Sequence, residues 1–407
     1  MAVTRERGFS FGSGLVSGAS DNDPTTVATL AVIGSTTGYA LGWLVLLVIP
    51  MLVIVQTIAA RVGAVSRKGL EDCVRANYGR GWAFAAMLSI LAVNVVTLGA
   101  DLSGGAAALQ VVTGADYRIF IVPFALLASG LLVFARYEQL MTVLRFLPLL
   151  FVLYVGAAFM AHPVWGDVLR ATLVPHVVWN QNAIAGTIAL LGTTLTSYAY
   201  VWETIEVSEE RPPLRQLGLV QADAAFGVIV AGIVFWFITI ATGATLGAHH
   251  QAVETAQDAA RALAPIAGRY AGLVFGVALF GSALIAVPVL GGTSAYVMAD
   301  MFGWRKSLDA PFARAKPFYI SLLLSIAIGT VIALLPIAPI KLLFVASIAG
   351  GIATPVTLFL LMRVGSDKRI MEGRPVRGPL AAGGWLVTLV VAGATIAYFV
   401  SLRSSGA

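Results

Sequence analysis

The stretch SGASDNDPTTVATL, residues 17–30, sets two carboxylates and a proline inside an otherwise apolar run. Proline has no N–H and disfavours helical backbone at the residue before it. A helix entering this segment is therefore expected to break at Asp23, ahead of Pro24. The break frees backbone carbonyls, such as that of Ser20, beside the Asp23 carboxylate. A carboxylate flanked by carbonyl and hydroxyl oxygens is the donor set of a hard cation. Asp23 and Ser20 are thus candidate metal ligands. Thr26 is either a further oxygen ligand or the N-cap of a half-helix beginning at Val27. Asp21 lines the approach to such a site or caps the half-helix from a distance. The competing reading of Asp23 is a loop carboxylate outside a helix that starts at Val27.

A second polar interruption is GTTLTSY, residues 192–198. Its Thr193, Thr194, Thr196 and Ser197 either face a ligand or only satisfy the backbone of a broken helix. Tyr198 reads as packing or as a gate. Downstream, Glu203, Glu206 and Glu210 fall at i, i+3 and i+7 on one helical face. They could line a cation exit path, although a solvated helix end is the simpler reading of Glu210. Asp101, within GADLSGGAAAL, holds a proton, a water or the ion pathway, or else pairs with an arginine or a helix end. Asp223 reads as interfacial structure. No nucleophile–base set or phosphate loop is present. The histidines, His162, His176, His249 and His250, all fall in predicted loops. An enzyme is therefore not expected.

The elements that must position these residues are transmembrane helices. Of 407 residues 58% are hydrophobic and 11% charged, against about 25% charged in soluble domains. Apolar runs long enough to span a bilayer occur at 10–37, 42–63, 82–111, 118–136, 139–161, 182–208, 220–246, 270–299, 317–337, 340–363 and 381–402. They are continuous rather than alternating, which predicts helices and not a barrel. The expectation is an all-α integral membrane protein with 11 transmembrane helices in one domain. The connecting loops are too short for a soluble domain, and residues 249–265 read as a short surface helix.

With the N-terminus inside, cytoplasmic segments hold 20 of the 26 lysines and arginines, leaving Arg118, Arg170, Arg261, Arg269, Lys341 and Arg403 outside. That asymmetry follows the positive-inside rule, with the C-terminus outside. Because the basic residues sit in loops, the net charge of +6 is no nucleic-acid footprint. No cleavable signal peptide is apparent. Cys73, the sole cysteine, allows no intrachain disulfide. The two interrupted runs lie five spans apart. Matched broken segments point to an inverted-repeat transporter with its substrate at mid-membrane between the breaks. Repeat one covers about 10–161, repeat two about 182–363, and 381–402 is an extra helix.

Several segments resemble the Nramp divalent-metal transporters, which have a LeuT-type fold. DPTT (23–26) stands where that family has Asp-Pro-Gly-Asn. QTIAARVGAVSRKGLEDCVRANYG (56–79) is similar to its second span and following loop, GADLSGGAAAL (99–109) to its third span, and FVASIAGGIATPVTLFLLMRVGSDKRIMEG (344–373) to its tenth. The resemblance implies a 5+5 inverted repeat with helices 1 and 6 broken. It also implies that Asp23, Thr26, Thr196 and the carbonyl of Thr193 stand at metal-ligand positions.

This chain departs from the family pattern. The family's Met-Pro-His of the broken sixth helix reads Thr196-Ser197-Tyr198 here, so the soft thioether that favours transition metals is replaced by a hydroxyl. Asp101 matches a family aspartate, but the glutamate three residues on is Gly104. Both positions belong to the family's proton route, which puts proton coupling in doubt. These changes resemble the Nramp-related magnesium transporters. The expectation is uptake of Mg2+ or Mn2+ with weak or absent proton coupling, no cofactor and no obligatory protein partner. Proton-coupled import of Mn2+ or Fe2+ and an amino acid or amine carrier on the same fold are the rivals.

Overall fold

The computed structural model describes residues 22–134, 148–175, 180–308 and 311–405. These residues form helices and connecting turns, with no strand among them. Helix α1, Pro24–Thr37, is followed by α2, Gly42–Ser66, and by a short loop helix α3, Leu70–Tyr78. Helix α4, Arg80–Thr113, has 34 residues, about 51 Å at 1.5 Å per residue, and outspans a bilayer core. Next come α5, Arg118–Phe134, α6, Leu153–Met160, and an interfacial α7, Trp165–Leu173. The interrupted pair α8, Gln181–Thr194, and α9, Ser197–Glu210, precedes α10, Leu217–Thr245. Then follow α11, Ala271–Phe302, α12, Lys316–Ala333, α13, Pro339–Ser366, and α14, Gly378–Ser405.

Sequence signals set many of these ends. Proline opens α1, α12 and α13, where its missing N–H is an orphan in any helix. Gly114, at φ 76°, closes α4 in the left-handed region and returns its N–H to the Gln110 carbonyl, which glycine does without a Cβ penalty. Among the described residues, eight helical segments are long and apolar enough to cross a membrane, the α8–α9 pair counted as one; α5 and α6 are apolar but shorter. The described spans follow the sequence boundaries within a few residues. Two expectations change. Residues 139–147 of the fifth predicted span lie outside the described residues. The surface helix expected over 249–265 resolves into two short pieces, Ala256–Arg261 and Ala264–Ala267.

Helix α1 packs mainly on α8, α10 and α13, and also meets α4 and α11. Helix α4 lies against α11, α12 and α13, and α2 against α9 and α10. Small residues permit the tightest crossings. At Gly192 an added Cβ would lie 2.0 Å from the Ser347 carbonyl oxygen and 2.1 Å from the Gly351 nitrogen, so α8 and α13 meet backbone to backbone. Close approach through glycine is how membrane helices gain packing without a hydrophobic drive. Helix α14 is the outlier, with 22% of its span buried. Its Thr395 hydroxyl reaches the Gly351 carbonyl at 3.1 Å.

Candidate metal-ion site

The first break is organised by one carboxylate. Asp23 is extended, at φ −67° and ψ 164°, and its side chain accepts the Thr26 N–H at 2.7 Å. Asp23 is therefore the N-cap and Pro24 the first helical residue, so the half-helix starts three residues before Val27. Thr26 is not the cap; its hydroxyl is directed elsewhere. The carboxylate is wholly buried, and its second oxygen accepts the Tyr198 hydroxyl at 2.7 Å. Ahead of it, the Asn22 carbonyl accepts a hydrogen bond from Ser282 of α11. Ser20 and Asp21 lie outside the described residues.

The second break falls at Leu195 and Thr196, between α8 and α9. No proline causes it. The carbonyl of Leu195, which has lost its helical partner, accepts the Thr354 hydroxyl of α13 at 3.1 Å. Thr196 is extended, buried, and makes no side-chain cap to α9. Thr193 does not merely satisfy backbone. Its hydroxyl lies 2.9 Å from that of Thr26 and 3.3 Å from that of Thr25. Thr194 does return to its own helix, donating to the Leu190 carbonyl at 2.6 Å. The hydroxyl of Ser197 is buried with no hydrogen-bond partner.

The two breaks thus touch. Asp23 joins the second through Tyr198, and Thr26 joins it through Thr193. Four hydroxyls, from Thr25, Thr26, Thr193 and Tyr198, cluster around one carboxylate. Thr29 extends this polar face one turn along α1 and donates to Ser347 of α13 at 2.8 Å. Asp101, fully buried on α4, lies within electrostatic reach of Asp23 and beside the Thr25 amide. Neither of its oxygens has a hydrogen-bond partner of good geometry. Gly104, one turn further along α4, explains how the chain gets past: a Cβ there would sit 3.1 Å from the Pro24 Cβ. The glycine lets α1 begin directly on α4, where a longer side chain would collide.

The acidic face of α9 is only partly drawn together with this cluster. Glu203 is buried and Glu206 half-buried, while Glu210 is exposed. None of the three shares a hydrogen bond with Asp23 or Thr193 in the contacts that define the breaks. Sequence reasoning missed Thr25, Thr29, Ser347 and Thr354. The α1 threonines recur at helical spacing and could have been read as one polar face. Ser347 and Thr354 come from a helix 150 residues on, and nothing local marks them.

Among the described residues, no group of three or more His, Cys, Asp or Glu could hold a metal. Among the described residues these contacts join one carboxylate to neutral oxygens, with Asp101 within electrostatic reach, and no sulfur or imidazole takes part in them. Such a set suits an ion that keeps part of its water shell and binds through few carboxylates. It does not suit one that demands thiolate or histidine ligands.

Broken helices that meet mid-bundle, each stabilised by the other's side chains, define the helical secondary-transporter architecture. The family model described as natural resistance-associated macrophage protein-like, Nramp, matches residues 14–401. The chain belongs to the Nramp family. It is 28% identical over 414 residues to the divalent metal cation transporter MntH of Ralstonia nicotianae, covering 95% of this chain and 89% of that protein. It is 24% identical to the protein of that name from Chromohalobacter salexigens, covering 94% and 89%. Its fold is similar to a manganese transporter of Eremococcus coleocola, with TM-score 0.73, 17% identity, and 98% and 88% of the chains covered. MhsT in complex with L-phenylalanine also shares it, with TM-score 0.63 and 15% identity. The two MntH relatives and the Eremococcus coleocola protein are named as transporters.

Proposed function

We propose that the protein carries divalent cations across the cytoplasmic membrane by alternating access, with Mg2+ or Mn2+ as substrate. The observation that carries this reading is Asp23, buried at a helix break with hydroxyls and no sulfur or imidazole around it. Asp23, Thr26, Thr193 and Thr196 are the described ligand positions, with Ser20 a fifth. Tyr198 gates Asp23 by holding its second oxygen until a cation takes it. Asp21, Asp101, Glu203 and Glu206 line the approach and the exit. Eleven spans in a 5+5 inverted repeat, N-terminus in the cytoplasm and C-terminus outside, complete the arrangement. An inside-negative potential contributes about 2.3 kcal/mol per charge per 100 mV, which drives a divalent ion inward without a proton.

The test is flux into proteoliposomes with Mg2+, Mn2+, Ca2+ and Cd2+ in competition, internal pH recorded, repeated with Asp23→Ala. Mg2+ or Mn2+ entry without acidification is expected. Strong Cd2+ preference would require a soft ligand that the described site lacks. Stoichiometric acidification would instead support proton-coupled Mn2+ or Fe2+ import. Asp101 favours that second reading, because a buried carboxylate beside Asp23 with no side-chain donor is suited to carry a proton.

A further inference from the structure

Beside α9, helix α3 carries a carboxylate that the proposed metal route does not include. The helix is wedged between α9, α11, α4 and α13. Its Leu70 N–H bonds the Thr204 hydroxyl of α9 at 2.9 Å, and its Arg75 reaches the Met301 carbonyl of α11 at 3.3 Å. It therefore ties the inner half of the interrupted span to the end of another. At its start, Gly69 offers no side-chain cap. Asp300 of α11 lies nearby, where a Cβ on Gly69 would be 3.5 Å from its Oδ2, but that oxygen accepts no hydrogen bond. The other Asp300 oxygen pairs with Lys306. The Lys306 ammonium is what supports Asp300 as an anion.

Glu71 has no such provision. Its side chain is 1% exposed, and neither carboxylate oxygen has a partner. The nearest cation, Arg75, turns its guanidinium to the Met301 carbonyl, and Lys306 is taken by Asp300. Thr204 spends its hydroxyl proton on the Val201 carbonyl. An ionised carboxylate is strongly disfavoured in a dry site without donors. We propose that Glu71 is a proton-binding site, filled while α3 is packed on α9 and α11, and emptied when α3 lifts and the side chain meets water.

The groups acting on Glu71 are Asp300 from α11, and Arg75 and Asp72 from its own helix. Burial first, then Asp300, pushes its carboxyl up to about 9, with Asp72 adding and Arg75 opposing. A hydrated glutamate titrates near about 4.3. The packed state has the higher value. Its advantage is therefore complete below the hydrated value and is lost as pH rises towards 9, about tenfold in population per pH unit between. The proton leaves to, and returns from, the same side of the membrane. Cation flux then depends on cytoplasmic pH without being driven by a proton gradient. The assignment of that side rests on the proposed orientation; the proton site does not.

Cys73 supplies the probe. It is the sole cysteine, fully buried on the same helix, with burial pushing its thiol up to about 11. The full chain in detergent micelles is reacted with N-ethylmaleimide between about pH 6.5 and pH 8. Thiol ionisation alone raises the rate about tenfold per pH unit; opening linked to Glu71 raises it about tenfold more. Wild type should therefore climb about hundredfold per unit and Glu71→Gln about tenfold. Equal slopes overturn the proposal. If the variant does not fold, a tenfold wild-type slope does so alone. If Cys73 stays unlabelled, infrared difference spectra of wild type against Glu71→Gln near about pH 7.5 decide. The carbonyl band of a protonated acid must then appear in the difference, and its absence refutes the site.

Discussion

The two helix breaks that meet at Thr26 and Thr193 are built by different means. The first is local. Pro24 forces it, Asp23 caps the new helix start, and both lie within three residues of each other. The second is imposed from outside. Between Thr194 and Ser197 nothing prevents a helix, yet Leu195 and Thr196 leave it, and the lost carbonyl partner is replaced by Thr354 of α13. The charged break can form on its own; the neutral one needs a neighbour. It follows that damage to α13 should disturb the second break while sparing the first, and that removing the Asp23 charge should cost cation flux rather than structure.

The largest effect is expected at the crossing that brings α13 to the second break. Gly192→Ala would drive a methyl group into backbone at 2.0 Å and 2.1 Å, contacts that no rotamer relieves. Helices α8 and α13 would have to part, at more than about 3 kcal/mol by the scale of severe overpacking. Loss of the monodisperse protein on size-exclusion chromatography checks this. A folded, transporting variant would mean that the crossing does not hold the break.

Asp23→Asn attacks the other break through charge alone. Asparagine is as good an N-cap as aspartate, so α1 should still start at Pro24 and the melting temperature should hold. Cation flux should fall about 100-fold or more, since the charge of the proposed ligand is gone; about 2.7 kcal/mol suffices for that. Retained flux would move the site away from the first break. Thr354→Val then reverses the pattern. It removes the donor to the Leu195 carbonyl and should destabilise the protein by about 1–3 kcal/mol. Residual flux per folded molecule should stay well above that of Asp23→Asn. A thermal melt and a flux assay on the same preparation separate the two.

The same contrast explains how much was legible in the sequence. The first break was readable because proline and a buried carboxylate are local signals with few structural meanings. The role of Thr26 stayed open between ligand and N-cap; Asp23 takes the cap because Pro24 accepts the first helical position. The interruption at 192–198 was visible as a run of hydroxyls. Its cause was not, because Ser347, Gly351 and Thr354 lie some 150 residues away. Gly104 could be read as a packing residue, but its neighbour Pro24 required coordinates. Glu71 was invisible for another reason. In the sequence it is one charged residue in a polar loop, and only burial turns it into a proton site.

The smallest expected effect is the one that joins the two breaks. Thr26 and Thr193 share a hydrogen bond of 2.9 Å between side chains 167 residues apart. Each threonine also has its own helix to support, so single substitutions to valine mix two losses. Valine keeps the branched shape and removes only the hydroxyl, which makes the pair suitable for a double-mutant cycle. If the breaks act as one unit, the cycle should show a coupling of about 1 kcal/mol, the net worth of one neutral hydrogen bond. Cation affinity measured on the same proteins sharpens the point. A cation that binds both hydroxyls should show a coupling in affinity as well, because the second substitution removes a ligand position already weakened by the first. Additive stabilities would separate Thr26 from Thr193 and leave Tyr198 with Asp23, and Thr193 with Thr25, as the bridges between the breaks. Additive stabilities together with coupled affinities would mean that the ion, rather than the protein, holds the two half-helices together.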